Sequence, residues 1–297
     1  ELFPGLLGGL APALIREVKL ENRIVPSAVL WSTGVPRMMA SNNWVVSGKK
    51  TASGMPILAN DPHLEVNRLP SVWSEISLKM KDKFALGVSL PGLPGVVLGR
   101  TQDLAWGATY AFMDAEDSWV ERCKEGKYYR KGVGWIPFRI RRETILRKKK
   151  DPVVAIFYEN DHGVLEGDPN GDGYCLATRW AVSKFGGAGL ARIAEMWRMT
   201  SVEQGMDALG QLEGAFNFVL ADRHGNIGYQ MSGLFPKRRE GRSGLVPLPG
   251  WDPENDWQGF VRHEDLPRCL NPEEGYFGTA NEDLNRCGRV NPINMLH

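Results

Sequence analysis

The chain has 297 residues, 42% apolar and 24% charged, a globular composition sufficient for one large domain or two small ones. A net charge of +1 gives no overall pull toward nucleic acid or an anionic membrane, and no apolar run approaches the roughly 18 residues of a spanning helix. Neither partner is therefore expected, and the widely spaced Cys123, Cys175, Cys269 and Cys287 read as isolated thiols rather than a zinc site or a disulfide framework.

Residues 1–40 read as a piece separate from the rest. Glu1-Leu2-Phe3-Pro4 lacks a basic start, so no signal peptide is expected. The spacing over 6–18 predicts one amphipathic helix, weakened by Gly8-Gly9 and Pro12, which inside a helix cost about 1 and 3 kcal/mol. Pro26, Gly34 and Pro36 then make a loop-like approach to Ser41. From Ser41 the pattern is a short apolar strand, a Gly/Lys turn, a second strand over 56–59, and the polar loop Asn60-Asp61-Pro62-His63-Leu64.

Strand signals continue to about residue 165, at 84–88, 96–98, 104–107, 119–120, 135–140, 144–146 and 153–158. The basic run from Arg139 to Lys150 alternates with Ile140, Thr144 and Leu146. It reads as the solvated face of a hairpin rather than a polyanion site. Asp168-Pro169-Asn170-Gly171-Asp172-Gly173 resembles the start of a calcium loop but lacks the closing glutamate, so it reads as a polar turn. Helical spacing appears at 190–198, and Thr200-x-x-Glu203 is a capping-box pattern opening a helix to about 212. A hairpin follows over 216–231, turning at Asp222-Arg223-His224-Gly225-Asn226. His162, His224 and His263 sit in turn-like settings and carry no assigned chemistry. The tail from 284 lacks periodicity. Strands, two helices, then strands suit antiparallel sheets covered by helices, an α+β arrangement.

The string from Ser41-Asn42-Asn43-Trp44 to Asn60-Asp61-Pro62-His63-Leu64 resembles the start of the catalytic chain of penicillin acylases, which are N-terminal-nucleophile (Ntn) hydrolases. Further segments match in the family's order: Trp106-Gly107-Ala108-Thr109-Tyr110-Ala111-Phe112, Asp114-Ala115-Glu116-Asp117, Phe216-Asn217-Phe218, Phe235-Pro236-Lys237-Arg238, Asp256-Trp257-Gln258-Gly259, and Asn271-Pro272 through Ala280-Asn281. Any one is weak evidence; their order makes them strong together. The resemblance implies an αββα four-layer sandwich with a β-rich excursion. It divides the chain into 1–40, the end of a small chain and its linker, and 41–297, the first part of the catalytic chain. The partners it implies are that small chain and the remainder of the catalytic chain.

What the resemblance implies chemically is an amidohydrolase. Ser41 would attack the Ala40 carbonyl, cut the chain, and then use its freed α-amine as base for attack on an N-acyl amide. The Tyr110 N–H and the Asn217 side chain would form the oxyanion hole, with Arg238 as the family's arginine. His63 stands where penicillin G acylases carry glutamine and cephalosporin and acyl-homoserine-lactone acylases carry histidine. Leu64, Leu98 and Trp180 fall at acyl-pocket positions. Asp114, Glu116 and Asp117 fall in the segment that supplies calcium ligands, and no organic cofactor is expected. Export to the periplasm or beyond is implied in the same way. A rival reading is a non-catalytic β-rich fragment, because family proteins extend past both ends of this chain. A Ser-His-Asp triad enzyme is disfavoured by the lack of a G-x-S-x-G elbow.

Overall fold

A computed structural model describes residues 17, 40–64, 72–184 and 187–293. All but Glu17 of the expected helix over 6–18, and the approach through Pro26, Gly34 and Pro36, lie outside these residues.

The first strands are β1 (Ser41–Val46), β2 (Ile57–Pro62), β3 (Ser74–Met80), β4 (Lys83–Ser89), β5 (Leu98–Thr101) and β6 (Leu104–Tyr110). Next come β7 (Glu116–Lys124), β8 (Lys127–Arg130), β9 (Gly134–Pro137), β10 (Arg139–Arg147), β11 (Lys150–Asn160), β12 (Gly163–Glu166) and β13 (Gly173–Trp180). Helices α1 (Gly187–Glu195) and α2 (Val202–Gly210) precede β14 (Phe216–Asp222), β15 (Ile227–Met231), β16 (Leu248–Pro249), β17 (Arg268–Leu270) and β18 (Tyr276–Thr279). These pack as two compact units, one of Pro36–Asp114, Val182–Phe235 and Phe260–His297, the other containing Ala115–Ala181 and Pro236–Gly259.

The first unit is layered. A seven-stranded sheet runs β17-β15-β14-β6-β5-β4-β3, and a three-stranded sheet runs β18-β1-β2. Strand alternation sends neighbouring residues of β6 and β14 to opposite faces. Trp106, Ala108, Phe218 and Leu220 pack with Met206 and Leu209 of α2 in one buried apolar cluster. Gly107 faces the small sheet so closely that a Cβ there would lie 2.7 Å from the Asn43 Oδ1. Helices, large sheet and small sheet are the three layers among the described residues, an α+β arrangement as expected.

Local chemistry sets the helix starts. The capping box lies one residue later than the sequence pattern predicts: Ser201 is the N-cap and accepts from the Gln204 N–H, while Gln204 Oε1 reaches back to the Thr200 N–H. Asp222, from the β14–β15 turn, accepts from the Val202 N–H and also from the N–H groups of His224 and Asn226. One buried carboxylate thus ties a hairpin turn to a helix N-terminus, where negative charge is favoured. Within 284–293, the Asn285 side-chain amide bonds both the N–H and the C=O of Ile293.

The second unit holds an eight-stranded sheet, β10-β11-β12-β13-β7-β8-β9 with β16 beside β7. The expected strand over 135–140 is split between β9 and β10. Every residue of β10 is exposed, as a solvated hairpin face requires. The 168–173 segment is the expected polar turn, with Asp168 Oδ1 accepting from the Asn170 N–H. All four thiols are free. A hydrogen bond with Cys175, then burial, pushes the Cys123 thiol far above its ordinary value.

His162, to which the sequence assigns nothing, is buried here. Its ring stacks on Trp119 at 4.4 Å between centroids. Nδ1 lies 2.5 Å from Glu121 Oε1 and Nε2 lies 2.8 Å from Asp256 Oδ1, and Asp256 also takes Arg130. Burial opposes a charged imidazole, but hydrogen bonds to Asp256 and Glu121 outweigh it and raise the pKa above the ordinary 6.5. For Asp256 burial is likewise overcome, by His162 and Arg130, and its pKa falls below 3.8. A raised histidine contributes stability that is complete below its unfolded value and lost as pH rises through the folded one. A lowered aspartate contributes stability present above its unfolded value and lost as pH falls. The network is therefore strongest between about pH 4 and 6.5. Thermal unfolding followed by circular dichroism should show stability falling as pH rises past that window. His162→Gln should abolish that fall and cost about 3–5 kcal/mol by taking the ion-pair partner from buried Glu121, which keeps the bond from the Asn160 amide.

Candidate active site

Ser41 heads β1, the middle strand of the small sheet. Its register is fixed on both sides, by Ser41 opposite Pro62 in β2 and by Asn43 opposite Thr279 in β18. The β2 ladder continues one bond beyond its last pair: the His63 N–H donates to the Ala40 C=O at 3.0 Å. The carbonyl that Ser41 would attack is thus already held by a backbone donor. On the other side, the Ser41 N–H donates to Asn281 Oδ1 at 2.7 Å.

The opposing wall is the outer end of β6. Strand β5 pairs with β6 only at Ala105 and Trp106. Beyond Trp106 the edge of β6 that faced β5 has no strand partner from it, and side-chain amides take over. Asn60 behaves as a detached peptide unit, its Oδ1 accepting from the Ala108 N–H at 3.1 Å and its Nδ2 donating to the Ala108 C=O at 2.9 Å. The same Nδ2 also reaches the Asn42 C=O. Tyr110, two residues on, presents its backbone to the same edge. Its C=O accepts from Asn281 Nδ2 at 2.6 Å. The Tyr110 N–H, expected as an oxyanion donor, therefore lies on an edge free of β5.

Asn217 pairs with Thr109 across β14 and β6 and is fully buried. The Tyr229 hydroxyl donates to Asn217 Oδ1 at 2.9 Å, which turns Nδ2 the other way, toward Thr109 Oγ1 at 3.4 Å. Thr109 Oγ1 in turn lies 2.9 Å from Thr279 Oγ1. An amide nitrogen has two hydrogens, so one remains for another acceptor. Burial pushes the Tyr229 pKa well above the ordinary 10, keeping the phenol a donor, and its ring stacks on Phe277.

Ser41, His63, Tyr110 and Asn217 therefore belong to one unit. His63 is exposed, and its Nε2 lies 2.8 Å from Asp61 Oδ2 and 3.5 Å from Asn42 Nδ2. Leu64 is half-buried, and Leu98 is buried in the cluster shared with Trp106. Arg238 and Trp180 lie in the second unit. There Arg238 Nε donates to Asp117 Oδ2 at 2.8 Å, and the Trp257 indole N–H donates to the same oxygen. Trp180 ends β13 and is exposed. Asp114 lies in the first unit, its N–H bonded to the Pro292 C=O, whereas Glu116 and Asp117 open β7 in the second. Among the described residues no three His, Cys, Asp or Glu side chains form a metal-binding group. The sequence reading missed Asn60, Asn281 and Tyr229. Asn60 and Asn281 both stood in matched segments, but neither was assigned a role.

The family model for penicillin amidase matches residues 4–294. An acyl-homoserine lactone acylase, QuiP, of Pseudomonas aeruginosa is 36% identical over 258 residues, covering 82% of this chain and 30% of its own length. A penicillin acylase 2 proenzyme of a Pseudomonas species is 32% identical, covering 81% of this chain and 31% of its own length. The chain thus spans about 30% of the length of these curated relatives. Among solved structures, a thermostable penicillin G acylase from Alcaligenes faecalis superposes with a TM-score of 0.73 at 21% identity, covering 82% of this chain and 44% of that one. At that identity the likeness is one of fold.

Tyr229→Phe should remove the bond that orients Asn217 and leave a buried carbonyl oxygen unsatisfied, at a cost of about 1–3 kcal/mol. Urea unfolding of the two proteins measures the difference.

Proposed function

Because the chain belongs to the penicillin amidase family, we propose that it carries the nucleophile and oxyanion hole of an N-acyl amide hydrolase, with Ser41 attacking after the Ala40–Ser41 bond is cut. The observation that carries this reading is the setting of Ser41. It heads a strand fixed on both sides, its N–H is held by Asn281, and the preceding carbonyl is held by the His63 N–H.

The chemistry follows in two stages. In the first, the Ser41 Oγ adds to the Ala40 carbonyl carbon and the C–N bond breaks, leaving an ester and a free amine. Water opens the ester to the Ala40 carboxylate and the Ser41 hydroxyl. In the second, that amine, with a reference pKa of about 7.7–8.0, takes the hydroxyl proton as Oγ attacks the substrate amide. The tetrahedral oxyanion is met by the Tyr110 N–H and Asn217 Nδ2; losing one such donor typically costs roughly 3–4 kcal/mol in the barrier. The leaving amine takes the proton, and water releases the acyl group from Ser41.

The substrate class proposed is an N-acyl amide of the β-lactam side-chain or acyl-homoserine-lactone kind. His63 and the similarity to QuiP support the second. Leu64 and Leu98, aliphatic at positions that the resemblance assigns to the acyl pocket, support a flexible aliphatic chain. The remaining proposals are a catalytic role for Arg238, structural calcium at Asp114, Glu116 and Asp117, assembly with the rest of the same precursor, and export. These rest on the resemblance alone.

Intact mass of the complete polypeptide that carries this chain tests the mechanism. Wild type should yield a chain beginning at Ser41 and hydrolyse a chromogenic acyl-anilide, whereas Ser41→Ala should stay uncut and inert. A wild type that never yields that chain overturns the proposal.

A further inference from the structure

Asn281 faces the Ser41 amide, and nothing in the chemistry above uses it. Resting on the reading of Ser41 as an N-terminal nucleophile, we infer that Asn281 is a positioning residue that aims the lone pair of the freed Ser41 amine at its own hydroxyl.

The placement is built into the sheet. Thr279 lies opposite Asn43 in the β18–β1 register, so two residues further along each strand bring Asn281 opposite Ser41. Asn281 sits there at φ 66°, a left-handed conformation that asparagine adopts more readily than most residues. Its two partners have opposite polarity. The Ser41 N–H requires an oxygen, supplied by Oδ1 at 2.7 Å, and the Tyr110 C=O requires a donor, supplied by Nδ2 at 2.6 Å. Only one orientation of the amide satisfies both. Flipping it would set donor against donor and oxygen against oxygen.

That fixed orientation has a chemical result once the chain is cut. The amine then carries two hydrogens and one lone pair, and the lone pair is the base. A contact through Oδ1 binds an N–H and turns the lone pair away from the amide, leaving it for the Ser41 hydroxyl. A contact through Nδ2 would instead occupy the lone pair, but that nitrogen is committed to Tyr110. When the amine becomes an ammonium, the bond to Oδ1 persists and gains strength from the charge. The Nδ2 bond meanwhile pins the Tyr110 peptide carbonyl at the outer end of β6, close to the N–H proposed for the oxyanion. One side chain couples the base to the oxyanion hole.

The test uses the complete polypeptide as wild type, Asn281→Asp and Asn281→Ala, with intact mass, melting temperature, and pH profiles of kcat and kcat/KM on a chromogenic acyl-anilide. Asn281→Asp keeps the shape but sets a negative charge beside the amine, so the acidic limb of kcat/KM should move up by about one pH unit or more. Asn281→Ala should lower kcat by about 100-fold through misplacement of the base, with KM within about threefold because the residue does not touch substrate. Folded variants with wild-type kcat and an unmoved acidic limb overturn the inference while leaving the proposed function standing. Activity lost only in proportion to folded protein, with the limb unmoved, overturns it equally. A wild type that never forms a chain beginning at Ser41 overturns the proposed function and this inference with it.

Discussion

The arrangement depends on an unfinished sheet edge. Strand β5 stops pairing with β6 after Trp106, so the backbone of Ala108 and Tyr110 needs partners from elsewhere. A buried unpaired peptide group costs about as much as a lost hydrogen bond or more. A further strand would satisfy that edge and close it. Side-chain amides from Asn60 and Asn281 satisfy it instead, atom by atom, and leave the Tyr110 N–H on it. The same asparagines reach the backbone of β1 at Asn42 and Ser41. Satisfying the large sheet and positioning the small one are thus a single set of bonds.

Close approach between the sheets makes those bonds reachable. Gly107 supplies it, since a side chain there would strike Asn43 and Asn60. Facing it is a layer of Asn43, Thr109, Asn217 and Thr279, all buried. The large apolar cluster lies on the other face of the large sheet, where Trp106, Phe218 and Leu220 meet α2. The division is physical: burial of the helix face supplies cohesion, while the polar inter-sheet layer fixes geometry at the cost of desolvating its members.

Much of this was legible in the sequence wherever the signal is local. The β14–β15 hairpin, the paired strands β1 and β2, the exposed basic hairpin and both helices follow from alternation, turn residues and caps. The fold family followed from ordered segments that matched together. Long-range roles were not legible. Asn60 and Asn281 look like turn residues, and nothing local marks that one bonds residue 108 and the other residue 41. His162 follows an aspartate and precedes a glycine, which reads as a turn. Its partners Glu121 and Asp256 lie 41 and 94 residues away. The capping box was read one residue early because Thr200 and Ser201 are both good caps, and only geometry chooses between them.

Among the described residues, the supports of Ser41 lie after it in the chain: β2 and β18 on its flanks, β6 and β14 facing it, Asn281 at its amide. Ala40, which the proposed cut would detach, contributes one bond, its carbonyl accepting from the His63 N–H. The proposed cut would give up that one bond and leave the downstream supports in place. The new terminus would inherit its position from the downstream scaffold, which makes the proposed maturation and the architecture that would exploit it separable.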